Sequence, residues 1–193
     1  MYQIKFKKGL NDSDRRLFTE LRKNYKYYPY LYHMVKEYED EYQDCYQNIG
    51  DKLDLFMMYD ADKLVAISTC TAFDKRLDIV SDFYNWDLNL EGAYYFGDIV
   101  VNKRFQGKGV AKKLYEKSID HAKNKGYTKI YALIVNLNDD PRRPTNFNYS
   151  QLWSELGFNK TRFSISYDWP TYQLDGSVKM ESNNLCVFIK NLG

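Results

Sequence analysis

Residues 94–135 constrain the fold more tightly than any other part of the chain, because they read as strand, turn, helix and strand. The first strand, Tyr94 to Val101, closes on the unbroken apolar run Ile99-Val100-Val101, as in a strand covered on both faces. The second, Tyr127 to Val135, carries Ile130, Ala132, Leu133, Ile134 and Val135. Between them a helix begins near Lys108. Its apolar stripe is Val110, Ala111, Leu114, Tyr115, Ile119 and Ala122, and Gly126 stops it. This spacing predicts a βαβ unit, with the two strands parallel and the crossover right-handed.

The turn that opens this helix has a chemistry of its own. Gly107 and Gly109 free the backbone to bend sharply and expose its N–H groups. The first N–H groups of a helix have no partner inside it, and the helix dipole adds partial positive charge at the same point. From Lys103 to Lys125 there are eight Lys or Arg and two acids. By themselves such lysines describe a solvated helix face. Beside a two-glycine turn they describe a place where a phosphate can sit. The turn is not a Walker A loop, since GxxxxGK[ST] is absent, and it lacks the third glycine of GxGxxG.

The rest of the chain supplies the partners of this unit. Residues 2–7 alternate, with Tyr2, Ile4 and Phe6 on one face, and predict a half-buried strand. Asn11 to Asp14 offers an N-cap for a helix that carries Leu17, Phe18 and Leu21 and runs to about Tyr25. Pro29 marks a break. Residues 30–48 keep a looser helical pattern whose polar face is acidic, either a solvated face or a lip that attracts a cationic substrate. Residues 53–59 and 63–73 read as a hairpin about Asp60-Ala61-Asp62, and 74–91 as a longer loop. After a polar loop, a short helix near 146–156 ends at Gly157. Phe158 to Tyr167 and Asn184 to Ile189 read as two final strands, with Asp175-Gly176 a turn inside the segment between them. The order β, α, α, β, β, β, α, β, α, β, β predicts a single α+β domain, residues 1–193, around one mixed sheet.

Composition removes several function classes. A net charge of +2 is too small to argue for a nucleic-acid partner. Cys45, Cys70 and Cys186 form no CxxC, which speaks against zinc and dithiol chemistry, and no metal is expected. No apolar run approaches the roughly 18 residues of a spanning helix, and Met1 leads straight into an alternating strand. The expectation is a soluble, cytoplasmic protein without a membrane partner. Most of the 19 tyrosines are expected at partly buried positions.

Gln106-Gly107-Lys108-Gly109-Val110-Ala111 matches the signature [RQ]-x-x-G-x-[GA] at Gln106, Gly109 and Ala111. Downstream stand Asn146 and the short helix that ends in Gly157-Phe158. In these features, closely over residues 94–160, the chain resembles the GNAT superfamily of acyl-CoA-dependent N-acyltransferases. The resemblance implies a mixed, mostly antiparallel sheet with a central splayed parallel strand pair flanked by helices. It implies acetyl-CoA as cosubstrate, with its pyrophosphate on the N–H groups from Gly107 to Ala111, Lys108 and Lys112 adding positive potential, and its pantetheine along the backbone of Ile99, Val100 and Val101. Gln106, Val110, Asn146 and Trp153 complete the expected cofactor-binding set.

The same resemblance implies direct attack by a primary amine of a small molecule or peptide on the acyl thioester. Asp98, opening the apolar strand, is the candidate base, with Glu91 a weaker alternative. Many GNAT enzymes place a Tyr acid four residues before the Gly-Phe pair; here that position is Trp153, whose indole cannot serve. Tyr149, one helical turn earlier, is the candidate substitute acid. His33 and His121 are not expected to act. The acidic segment at 37–44 favours a cationic acceptor, Arg142 and Arg143 an anionic group, and an amino-acid-like substrate satisfies both. Trp153 also keeps open a non-catalytic CoA-binding or protein-interaction module on the same fold, and a homodimer is left open.

Overall fold

The computed structural model describes residues 2–23, 36–75, 83, 85–86, 88–135, 149–172, 175 and 177–193. Its strands are β1 (Tyr2–Lys8), β2 (Asp54–Asp60), β3 (Lys63–Ala72), β4 (Ala93–Val101), β5 (Lys129–Val135), β6 (Asn159–Tyr172) and β7 (Val178–Asn191). They form one seven-stranded sheet in the order β1-β2-β3-β4-β5-β7-β6. The helices are α1 (Asp12–Lys23), α2 (Lys36–Ile49), α3 (Val110–Asn124) and α4 (Tyr149–Glu155). None of them is long and apolar enough to cross a membrane.

Local chemistry accounts for several boundaries. Asn11 caps α1: its Oδ1 accepts the Asp14 N–H at 2.9 Å, and Asp14 Oδ2 accepts the Asn11 N–H at 3.3 Å, a reciprocal box. The β2–β3 hairpin turns through Ala61, a non-glycine residue at φ +51°. The residues between α1 and α2, at 24–35, and the loop at 136–148, including Asn146, Arg142 and Arg143, lie outside the described residues.

β4 and β5 pair in parallel, and every other neighbouring pair is antiparallel. The parallel ladder runs from Ala93↔Lys129 to Phe96↔Ala132 and ends there. Beyond it β4 stays with β3 as far as Val101, while β5 stays with β7 as far as Val135. The two strands therefore part after Phe96. A bulge is the local cause. Ser68 faces Ile99 and Cys70 faces Phe96, so Thr69 stands opposite two residues, Gly97 and Asp98. An extra residue bends the strand and increases its twist.

The bulge also exchanges the faces of β4. Before it, Tyr94 and Phe96 belong to the core under α3, with Phe56, Met58, Leu114 and Tyr115. After it, Val101 and Ile99 are on that face, and Val100 packs on the opposite side with Phe18, Leu21, Tyr46 and Ile67 beneath α1 and α2. Ala93 and Tyr95 alternate with Tyr94 and Phe96 and join a third cluster, where Phe73, Phe83, Trp86, Leu88 and Leu90 cover Tyr131 and Val187. The segment read as a loop at 74–91 thus supplies a lid of apolar side chains to the sheet. Gly97 and Asp98 lie along β4 between the second and third clusters.

The last two strands are longer than their pattern predicts. β6 and β7 form a hairpin from Asn159↔Ile189 to Tyr172↔Val178, and β7 inserts between β5 and β6. Only Leu185 to Asn191 of β7 pair with β5. The distal half is a two-stranded ribbon in which Val178 and Met180 of β7 are exposed while Trp169 of β6 stays buried.

Candidate active site

The glycine turn sits where β4 delivers it. Asn102, 7% exposed, donates its N–H to Val65 O and accepts the Arg104 N–H on its side chain at 3.0 Å, which starts a short 3-10 turn at Lys103–Phe105. Gln106 then folds back: its Nε2 donates to Val101 O at 2.9 Å. The Gln106 side chain therefore ties the turn to the strand end. Gly107 (φ +71°) and Gly109 (φ +74°) adopt the left-handed conformation, and nothing lies within 4 Å of a Cβ built on either. The space in front of both is open.

Gly109 is the N-cap of α3 and offers no side-chain cap; the first turn holds no acid and contains Lys112 and Lys113. Cations at the positive end of a helix are unfavourable unless an anion joins them. The chain thus presents uncapped N–H groups, open space and positive charge together. These residues fit a pyrophosphate by their chemistry. The lysines are held loosely: Lys112 lies 3.6 Å from Glu155 of α4, and Lys108 rests over the Phe105 ring.

At the opening between β4 and β5, Asp98 donates its backbone N–H to Thr69 Oγ1 at 2.8 Å, which pins the bulge. Its carboxylate meets Arg22 of α1, Nη1 to Oδ2 at 3.3 Å, with side chains 24% and 12% exposed. Gly97 is required here by space: an added Cβ would lie 2.5 Å from Thr69 Oγ1 and 2.6 Å from the Tyr46 hydroxyl. Arg22, Thr69 and Tyr46 were not legible as site residues. Arg22 flanks the apolar stripe of α1, and nothing in its neighbourhood signals a partner 76 residues away.

The other candidates separate. Glu91 is exposed in the turn before β4, at the opposite end of that strand from the opening, and does not share the site with Asp98. Trp153 is 6% exposed and packs on Tyr115 at 4.9 Å, Phe158 at 5.2 Å and Phe188 at 6.0 Å, so its indole fills the core under α3. Tyr149 opens α4, and its side chain lies outside the described set, as does Asn146 altogether. Asp40 and Asp44 of the acidic segment are engaged by Arg15 of α1, a staple between the two helices.

A second polar cluster lies beneath the last turn of α3, at the helix end away from the glycine turn. Asp54, 3% exposed, meets Lys8, accepts the Tyr94 hydroxyl at 2.6 Å, and lies 3.1 Å from His121 Nε2. Burial, with Cys70 and Asp54 nearby, pushes the Tyr94 phenol far above its usual range, so it donates as a neutral hydroxyl. His121 stacks on Phe6 at 4.6 Å and is held as part of the fold. Among the described residues no three of His, Cys, Asp or Glu gather to hold a metal.

Known proteins agree with this architecture. The chain is similar in fold to the ribosomal-protein-S18-alanine N-acetyltransferase of Escherichia coli, with a TM-score of 0.62, 16% identity, and coverage of 100% of this chain and 95% of that one. It is similar to NAA60 of Arabidopsis thaliana in complex with acetyl-CoA, at 0.60 and 17%, covering 98% of each chain. It is also similar to yncA of Salmonella typhimurium with its cofactor acetyl-CoA, at 0.58 and 16%, covering 100% of this chain and 94% of that one. No curated protein matches the sequence. The profile of the acetyltransferase (GNAT) family matches residues 16–144, a span that includes α1 from Arg16 onward, the bulge, the glycine turn and the whole parallel pair, and the chain belongs to that family.

Proposed function

We propose that this acetyltransferase uses acetyl-CoA and moves the acetyl group to a primary amine by direct attack. One observation carries the reading: the open two-glycine turn on α3 and the parting of β4 from β5 lie at the same end of β4, with Asp98 in the opening. Two structural neighbours hold acetyl-CoA, which supports the choice of cosubstrate. Bound acetyl-CoA supplies an activated thioester. The uncapped N–H groups from Gly107 to Ala111 and the α3 dipole are suited to its pyrophosphate, with Lys108 and Lys112 adding charge. The β5-facing edge of Ile99 to Val101, freed when the ladder ends, is suited to the pantetheine as a strand would be, and an N–H there to the thioester carbonyl.

A lysine-like amine has a pKa of about 10.4 and arrives as an ammonium. Asp98 takes one proton, directly or through water. The amine nitrogen then forms its bond to the acetyl carbon, the C–S bond breaks, and the second proton passes to the departing thiolate. Amide and thiol are the products, with one proton released to solvent. Tyr149 remains the proposed donor to the thiolate, and solvent serves equally at that leaving group.

The test is release of free CoA thiol in the presence of a panel of amines. Amine-dependent release is expected. CoA binding with no release on any amine would make the chain a binding module instead. In parallel, Gly109→Glu places a carboxylate at the phosphate turn and is expected to abolish CoA binding by calorimetry while the circular dichroism spectrum is kept. Unchanged CoA affinity would remove the turn from the site.

A further inference from the structure

The acceptor side of the opening holds a pair of opposite charges, and that pair restricts what can bind there. Asp98 already has a cation beside it, the Arg22 guanidinium. Their separation of 3.3 Å is longer than the roughly 2.7–2.9 Å of a strong charge-assisted hydrogen bond. Both side chains are mostly withdrawn from water, at 12% and 24% exposure, so a charge added or stripped here is poorly compensated by solvent. The surrounding strip is polar. Thr19, one turn before Arg22 on α1, accepts a hydrogen bond from Gln43 of α2 at 2.7 Å, and the Tyr46 hydroxyl lies against Gly97.

A simple amine that binds Asp98 competes with Arg22 for that carboxylate and brings no anion of its own to the guanidinium. An acceptor carrying its own carboxylate next to its amine exchanges both partners at once: ammonium to Asp98, carboxylate to Arg22. A polycation gains nothing from Asp40 and Asp44, which Arg15 already engages. Resting on the N-acetyltransferase reading, we infer that the acceptor is a free α-amino acid, or a small amine with an adjacent carboxylate, and that Arg22 is the residue that selects for the carboxylate.

The experiment compares matched probes that differ in the carboxylate: tyrosine with tyramine, histidine with histamine, lysine with cadaverine, and each amino acid with its carboxamide. Thiol release gives kcat/KM, and thermal shift gives binding. At least one amino acid is expected to exceed its decarboxylated and amide partners by about 10- to 100-fold, the range of a hydrogen bond to a charged group. In Arg22→Gln that ratio is expected to fall to near one, and Arg22→Lys is expected to recover part of it. Circular dichroism of each variant verifies the fold. Amines or amides used as well as the amino acid, a preference that survives Arg22→Gln, or acetylation confined to peptide N-termini would each overturn the inference while leaving N-acetyl transfer intact. If no probe releases thiol, transfer to such amines fails, and the thermal shift decides the rest. Stabilisation by an amino acid that is lost in Arg22→Gln upholds the selection, and no stabilisation overturns it.

Discussion

Asp98 draws its surroundings from three elements: Thr69 of β3 holds its N–H, Arg22 of α1 meets its carboxylate, and Gly97 beside it leaves room for the Tyr46 hydroxyl of α2. As a base, it should matter most when the acceptor arrives protonated. Asp98→Asn is expected to lower kcat/KM by about 10²- to 10⁴-fold near neutral pH and by less at alkaline pH, where the amine is already free; a pH–rate profile checks this. Gly97→Ala puts a methyl group within 2.6 Å of two oxygens and is expected to cost about 1–3 kcal/mol of stability in denaturant unfolding, as overpacking does. Asp54→Ala strips the buried Tyr94 hydroxyl and His121 of a shared acceptor. It is expected to cost about 3–5 kcal/mol while CoA affinity by calorimetry is unchanged, because that cluster lies under the far end of α3. Asp98 was legible as a candidate from its place beside an apolar strand. Arg22 was not, since ion pairing between distant residues leaves no mark on local pattern.

At the scale of elements, α3 and β4 carry the proposed site, and each breaks a local rule. α3 begins with an uncapped glycine and lysines at its positive end, which is poor helix design without an anion. β4 breaks its own alternation at the bulge. Strict alternation puts Asp98 on the face of Phe96, beneath α3, whereas one extra residue turns it to α1. α4 is seven residues long and is held by its apolar face, with Trp153 on Tyr115, Phe158 and Phe188. Trp153→Ala is expected to cost about 3–5 kcal/mol, read from chemical denaturation, since a large core ring leaves a cavity. The β6–β7 hairpin was seen only in its inner half. There, both strands keep an apolar pattern; in the outer ribbon β6 keeps its alternation as far as buried Trp169, but Ser182 and Asn183 interrupt the pattern on β7.

For the molecule as a whole, three apolar clusters among the described residues lie on two faces of one sheet, and the two on the α1–α2 face leave Gly97 and Asp98 between them. Burial of the cysteines offers a direct readout of that packing. Cys45 is exposed, Cys70 and Cys186 are buried, and burial pushes the Cys70 thiol up to about 12. A thiol-specific reagent at neutral pH is expected to modify one cysteine quickly in the native protein and the other two only as fast as the fold opens. The βαβ unit, the two-glycine turn that opens α3 and the order of elements were written in the sequence, because hydrophobic period, glycine and helix-start chemistry act over a few residues. The insertion of β7 between β5 and β6, the end of the parallel ladder at Phe96, and the pairing of Asp98 with Arg22 were decided only in the folded chain. Each depends on which surfaces meet across the sheet, and that is settled by packing between residues far apart in sequence.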